Sequence, residues 1–320
     1  MQGAENSPLR GLGFAFLAFG LFATHDAIIK ALGQDYSVFQ IIFFAMLFAF
    51  IPMSILILAD QTSANFRPRH PWLVIARSLL SLTAMSAAFY AFVTLPLAEV
   101  YALLFATPLL ITALSVPLLG ETVRARRWAA VFVGLIGVII VLRPGATAFS
   151  PGHLAALCSA LAASLATIIV RKIGSEERSV VLVVYPMLSS ILVMGGTLPF
   201  VYQPVELPSL GLMAAVGLLS VIAQLCTISA YRFAPAAVVA PTQYSQILWA
   251  TGYGVIFFSE RPDTMVALGA AIIIASGIFI VWRESRPDVS ERTPVLKSPN
   301  PRVDAGVSMR PKGWWRRSKS

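Results

Sequence analysis

Asp26 and Lys30 stand four residues apart inside an apolar stretch, with His25 directly before the acid. On a helix that spacing puts the carboxylate and the ammonium on one face, one turn apart. Three outcomes follow: the pair neutralises itself, Lys30 extends outward to the membrane surface, or Asp26 exchanges a proton with His25. A charge in hydrocarbon costs at least about 2.5–3.5 kcal/mol on insertion scales, so such a residue needs a partner or a purpose. Asp26, with His25, is therefore a candidate for holding substrate or a coupling proton.

A second cluster follows Pro241: Gln243, Tyr244, Gln246 and Trp249, with Thr242 and Ser245 between them. Amides beside aromatic rings suit a flat, polar, heteroaromatic ligand, because rings stack and amides orient. The same residue types also join membrane helices through hydrogen bonds. Tyr101 and Thr107-Pro108 occupy a similar place earlier in the chain, where Pro108 can free a carbonyl to face a cavity. Glu99 lies in a first helical turn after Pro96, where the macrodipole favours a negative charge. Glu121 and Glu260 close two apolar segments and read as gates or anchors.

The elements that carry these residues are membrane spans. Hydrophobic residues make up 57% of the chain and charged residues only 12%, against roughly 45–50% and about 25% in soluble domains. The apolar runs are each about 20 residues, the length that crosses about 30 Å of hydrocarbon as a helix. They fall near 11–32, 37–59, 71–93, 96–119, 126–143, 152–172, 179–201, 209–231, 236–257 and 264–282, which predicts an all-α membrane protein of ten transmembrane helices. The first run is as long as a full span and lacks a small-residue cleavage site, so it reads as the first helix rather than a secretory signal. Cys158 and Cys226 both lie in apolar segments and imply neither a disulfide nor a metal site.

Basic residues sort to one side of this array. Arg10, Arg67, Arg69, Arg77, Arg124, Arg126, Arg127, Arg171, Lys172, Arg178 and Arg232 share it with the tail, leaving Lys30, Arg143 and Arg261 on the other. The positive-inside rule then makes both termini cytoplasmic. Residues 1–10 form a short cytoplasmic N-terminus, and residues 284–320, rich in Pro, Ser, Arg and Lys, read as a disordered basic cytoplasmic tail. The net charge of +9 sits largely in this tail and the short loops, so anionic lipid headgroups are the expected partner and nucleic acid is not. Trp314-Trp315-Arg316-Arg317 is suited to touching the inner leaflet.

The chain also repeats itself. At a shift of 141, Lys30 meets Arg171, Gly33 meets Gly174, and Tyr90-Ala91-Phe92 meets Tyr231-Arg232-Phe233; at a shift of 139, Pro96 meets Pro235 and Glu121 meets Glu260. Residues 11–143 and 152–283 are thus two five-helix repeats. Five is odd, so the second copy enters the membrane from the opposite face. Inverted repeats are a common plan of secondary transporters, which expose a midplane site alternately to each side.

These features resemble the drug/metabolite transporter superfamily, and within it the EamA-type ten-helix members, over roughly residues 11–283. The resemblance rests on the duplicated unit, on Leu119-Gly120-Glu121 followed by a basic loop, on the matching Ser259-Glu260, and on Gly134-Leu135-Ile136-Gly137-Val138 leading to Leu142-Arg143-Pro144. His25-Asp26-Ala27-Ile28-Ile29-Lys30 and Ala240-Pro241-Thr242-Gln243-Tyr244 look like the RibN-type riboflavin and the S-adenosylmethionine uptake branches. Many relatives carry Arg in a Phe-Arg pair early in helix 2, whereas this chain has Phe44-Ala45-Met46, so no role of that Arg transfers.

The sequence speaks against an enzyme, since His25, His70 and His153 are scattered and no phosphate loop or metal-spaced ligand set is visible. No cofactor or metal is expected. A small-molecule substrate is expected, with riboflavin uptake the first specific reading, S-adenosylmethionine uptake the second, and export of amino acids or drug-like metabolites the third. A channel or membrane scaffold is the non-carrier alternative. The scarcity of membrane carboxylates speaks for a neutral planar ring over a cation.

Overall fold

The computed structural model describes residues 8–59, 66–121, 123, 125–144, 149–174, 176–261 and 263–284. Most of the basic tail expected at 284–320, including its Trp-Trp-Arg-Arg end, and the first residues of the N-terminus lie outside them. The described residues form helices α1 (Pro8–Leu32), α2 (Val38–Ala59), α3 (Pro71–Thr94), α4 (Leu97–Leu104), α5 (Thr107–Leu119), α6 (Ala125–Leu142), α7 (Pro151–Ile173), α8 (Ser179–Val201), α9 (Leu207–Phe233), α10 (Ala236–Val239), α11 (Gln246–Phe258) and α12 (Thr264–Glu284). A 3-10 stretch, Ala240–Ser245, joins α10 to α11.

Nine segments among the described residues are long and apolar enough to cross a membrane, with α4 and α5 together making one of them. The segment expected at 236–257 is instead split into α10, the 3-10 stretch and α11. Pro241 lies in that stretch and has no N–H to give the preceding turn. The α4–α5 join has a related cause: Pro108 cannot donate to the Leu104 carbonyl, and the Thr107 hydroxyl takes that place at 2.6 Å. Both breaks fall midway along their segments, where backbone can leave the helical path only beside protein or a cavity.

The halves interlock rather than packing as separate bundles. Helix α1 lies against α9 and α3 lies against α7; α2 touches α9 as α8 touches α3; α11 touches α1 as α5 touches α7; and α6 pairs with α12. Exchanging the two halves of the chain maps each of these pairings onto another or onto itself.

Two close approaches fix which helix ends share a face. A Cβ on Gly33, just past α1, would come within 2.1 Å of the Val93 side chain near the end of α3, and one on Gly152, at the start of α7, within 2.8 Å of Leu95. The end of α1, the end of α3 and the start of α7 therefore sit together, and the end of α7 lies at the opposite face.

Each face has its own ionic fastening. At the α7–α8 loop, the Glu177 carboxylate accepts the backbone N–H groups of Arg69 (2.7 Å), His70 (3.0 Å) and Arg178 (3.0 Å), tying the loop to the entry of α3. Burial alone pushes this carboxyl up, but those donors hold it below its ordinary value. At the other face, Arg143 pairs with Asp263 at 2.6 Å. Asp263 also caps α12 through the N–H groups of Met265 and Val266, and the Arg143 hydrogen bond holds its carboxyl below the usual carboxylate range.

Candidate functional site

Asp26 lies in the last third of α1, 3% exposed, and its carboxylate is occupied on both oxygens. Oδ1 is 2.8 Å from His25 Nδ1, and Oδ2 accepts the Tyr101 hydroxyl. A carboxylate has only acceptor sites, so the proton of that first contact sits on His25 Nδ1. Of the three outcomes the spacing left open, the structure shows Asp26 beside His25, while Lys30 has partners of its own. Lys30 turns to Glu260, 2.9 Å away, and to the Leu95 carbonyl at 2.5 Å, because α1 ends beside the exposed carbonyls at the end of α3 and the start of α11's terminal loop.

Asp26, His25, Tyr101, Gln243 and Gln246 surround one central cavity, with Phe89, Phe92 and Phe105 forming its aromatic wall. The cavity holds about 50 Å³, enough for a few waters and smaller than a metabolite. The aromatic wall is continuous: Phe92 to Tyr101 at 5.5 Å between centroids, Tyr101 to Phe105 at 5.9 Å, and Phe105 edge-on to Tyr244 at 4.9 Å. The broken segments supply both sides, since Tyr101 and Phe105 come from the α4–α5 break and Gln243 and Gln246 from the 3-10 stretch and the start of α11. Gln246 is 1% exposed, and its amide nitrogen has no hydrogen-bond partner among the described residues. A buried donor of that kind costs about 1–3 kcal/mol when left unmet, which marks it as a group that a ligand acceptor can satisfy.

Two expected ligands stand elsewhere. Tyr244 is buried behind Phe105 with its hydroxyl against α12, where a Cβ on Gly277 would come within 1.8 Å of it. Trp249 is half-exposed on the outer side of α11, stacked on Tyr253 at 6.5 Å and packed over Gly20 of α1. Neither lines the cavity that Gln243 and Gln246 face.

Glu99 is held rather than free. His153 Nε2 lies 2.8 Å from it, and His153 Nδ1 takes the Ser150 N–H at 3.0 Å, so the ring proton sits on Nε2 and is donated to the carboxylate. This joins the start of α4 to the start of α7.

Glu121 and Glu260 are placed by the same local device. Each follows a residue in the left-handed backbone region, Gly120 at φ 64° and Ser259 at φ 53°, which ends the helix and turns the next side chain back across it. Glu260 then meets Lys30 and accepts the Leu97 N–H at 3.0 Å, while Glu121 meets the Arg171 guanidinium at the end of α7. The sequence does not mark Lys30 and Arg171 as partners of these acids, although a shift of 141 superposes the two cations, because the opposite charges pair between the halves and far apart in the chain.

The chain is 26% identical to the S-adenosylmethionine uptake transporter of Rickettsia felis over 89% of this chain and 97% of that one. It is 26% identical to the pseudopaline exporter of Pseudomonas aeruginosa, over 84% and 95%, and 28% identical to the riboflavin transporter of Rhizobium johnstonii, over 70% and 74%. A solved crystal structure shares the fold with a TM-score of 0.58, covering 86% of this chain and 98% of that chain at 19% identity. The profile of the EamA-like transporter family matches twice, at residues 9–143 and 150–282, so the chain belongs to that family and is a multi-pass inner-membrane protein.

Proposed function

We propose that the protein is a secondary carrier whose substrate is a small metabolite bearing both a cationic centre and a planar ring, with S-adenosylmethionine the first candidate. One observation carries this reading: Asp26, a buried carboxylate, lines the central cavity opposite an aromatic wall and the unmet donor of Gln246. A cationic group gains from the carboxylate and from the ring faces, a heteroaromatic ring stacks, and its acceptors meet the amides. The sequence favours a neutral ring because membrane carboxylates are few, whereas the place of Asp26 in the cavity wall supports a cationic group. The uptake transporter of Rickettsia felis supports the same choice, and the riboflavin and pseudopaline relatives keep a vitamin and an export direction as second readings.

In this reading the segment at 236–258 is the tenth span, interrupted at Pro241 as the fourth is at Pro108. Both termini are cytoplasmic, the halves act as inverted repeats, and the basic tail meets anionic lipid. Asp26 with His25 holds substrate or a coupling proton, Gln243, Gln246 and Tyr101 orient the ligand, and Tyr244 and Trp249 act from outside the cavity. Glu99 is an anchor, while Glu121 and Glu260 are gates.

The test is uptake of labelled S-adenosylmethionine, and separately of riboflavin, by bacteria that lack their own carriers, with and without this chain. Saturable uptake of the first that unlabelled riboflavin fails to suppress supports the reading. Uptake of riboflavin alone moves the substrate to the vitamin and leaves the carrier in place.

A further inference from the structure

The two ion pairs at opposite faces are copies of one another. Lys30 superposes on Arg171 at a shift of 141, and Glu260 on Glu121 at a shift of 139. In each, the cation ends the first helix of one half and the acid follows the fourth segment of the other half. Each therefore bridges the halves, one at the end of α1 and one at the end of α7. Both are largely shielded from solvent, with side-chain exposures of 12% and 15% for Lys30 and Glu260 and 8% each for Arg171 and Glu121.

We infer that these pairs are reciprocal latches of the transport cycle, so that Lys30 and Arg171 are the positioning residues that decide which side of the membrane the cavity opens to. The inference rests on the carrier reading above, but it asks only for two-sided access and for no particular substrate.

Three features favour latches over permanent fasteners. A shielded ion pair gains by attraction roughly what it loses by leaving water, so it closes firmly when dry and separates at little net cost once water enters; packed apolar side chains at the same place would hold without release. The latches also end the helices that line the cavity, since Asp26 lies one turn before Lys30 on α1 and Ala163 of α7 faces the same space. Both pairs are formed together in this structure, so that opening toward either face asks one of them to part.

The loop fastenings differ in kind. Glu177 binds backbone N–H groups, and Arg143–Asp263 joins α12 to the loop after α6, within neither latch.

The experiment places one cysteine at Ala88, which lines the cavity, in a chain carrying Cys158→Ser and Cys226→Ser, and labels it with a membrane-impermeant maleimide in right-side-out and inside-out vesicles. Lys30→Gln is expected to raise labelling from the Lys30 face severalfold and to lower it from the other. Arg171→Gln is expected to do the opposite. Glu260→Gln keeps an acceptor for the Leu97 N–H while cancelling the charge, and is expected to follow Lys30→Gln; it serves if Lys30→Gln fails to accumulate. Joining Lys30→Glu to Glu260→Lys restores the starting balance. Equal changes on both faces, or none in variants that reach the membrane, would overturn the assignment and leave the pairs as static anchors. Opposite shifts without uptake of either labelled substrate would uphold the latches and defeat only the choice of substrate.

Discussion

The two halves of the chain share their backbone plan and diverge in their chemistry. Both break their fourth segment beside a proline, both end it on a left-handed residue followed by Glu, and both offer a cation from the first helix to the other half. Yet the position equivalent to Asp26 in α7 is Thr167, whose hydroxyl is spent on the Ala163 carbonyl at 2.8 Å. The first half brings the acid and most of the aromatic wall, and the second brings the amides. The ion pairs that bridge the halves are thus repeated, whereas the side chains that line the cavity are not.

Removing the acid breaks this comparison most strongly. Asp26→Asn should cost the charge-assisted part of cation binding, about 1.5–3 kcal/mol, and so weaken substrate affinity about 10- to 100-fold in a binding titration, with expression unchanged. Crowding the wall from behind comes next. Gly277→Ala sets a methyl group against the Tyr244 hydroxyl and should destabilise the fold by about 1–3 kcal/mol, read as a lower melting temperature in detergent; adding Tyr244→Phe should recover part of the loss.

Tyr101→Phe keeps the ring and deletes one hydrogen bond to Asp26, so uptake affinity should fall about tenfold or less. Trp249→Ala, outside the cavity, should leave affinity within about twofold, and a loss as large as that of Asp26→Asn would move the site to the outer side of α11. The smallest effect belongs to a loop. The Glu177 carboxyl titrates below its ordinary value, so it contributes stability above about pH 4.5 and loses it as the pH falls through the folded value. Wild type should therefore melt above Glu177→Gln at pH 7, and the gap should close on acidification.

Much of the fold was legible, because span length, apolar content and the 141 and 139 shifts are properties of the chain itself. Asp26, His25, Tyr101, Gln243 and Gln246 were also legible as cavity residues, since a polar group in hydrocarbon stands out by residue type. Their partners were not. The Asp26 and Lys30 spacing left a local pair, an outward Lys30 and an Asp26–His25 contact all open, and the tertiary neighbours of α1 supply Tyr101 to one side chain and Glu260 to the other. Phe89, Phe92 and Phe105 carry no signal among the 20 phenylalanines, and only packing tells a cavity wall from a lipid-facing ring. Tyr244 and Trp249 stood out by residue type, yet neither lines the cavity: Tyr244 packs behind Phe105 and Trp249 lies over Gly20 of α1.

The most direct test of the central claim is counterflow in proteoliposomes. Vesicles containing the purified protein are loaded with unlabelled S-adenosylmethionine and diluted into a trace of the labelled compound, beside vesicles containing Asp26→Asn. A carrier that recognises a cationic, ring-bearing metabolite through Asp26 predicts transient accumulation of label in the first set and its loss in the second. Absence of accumulation in wild-type vesicles, or undiminished accumulation with Asp26→Asn, would contradict it.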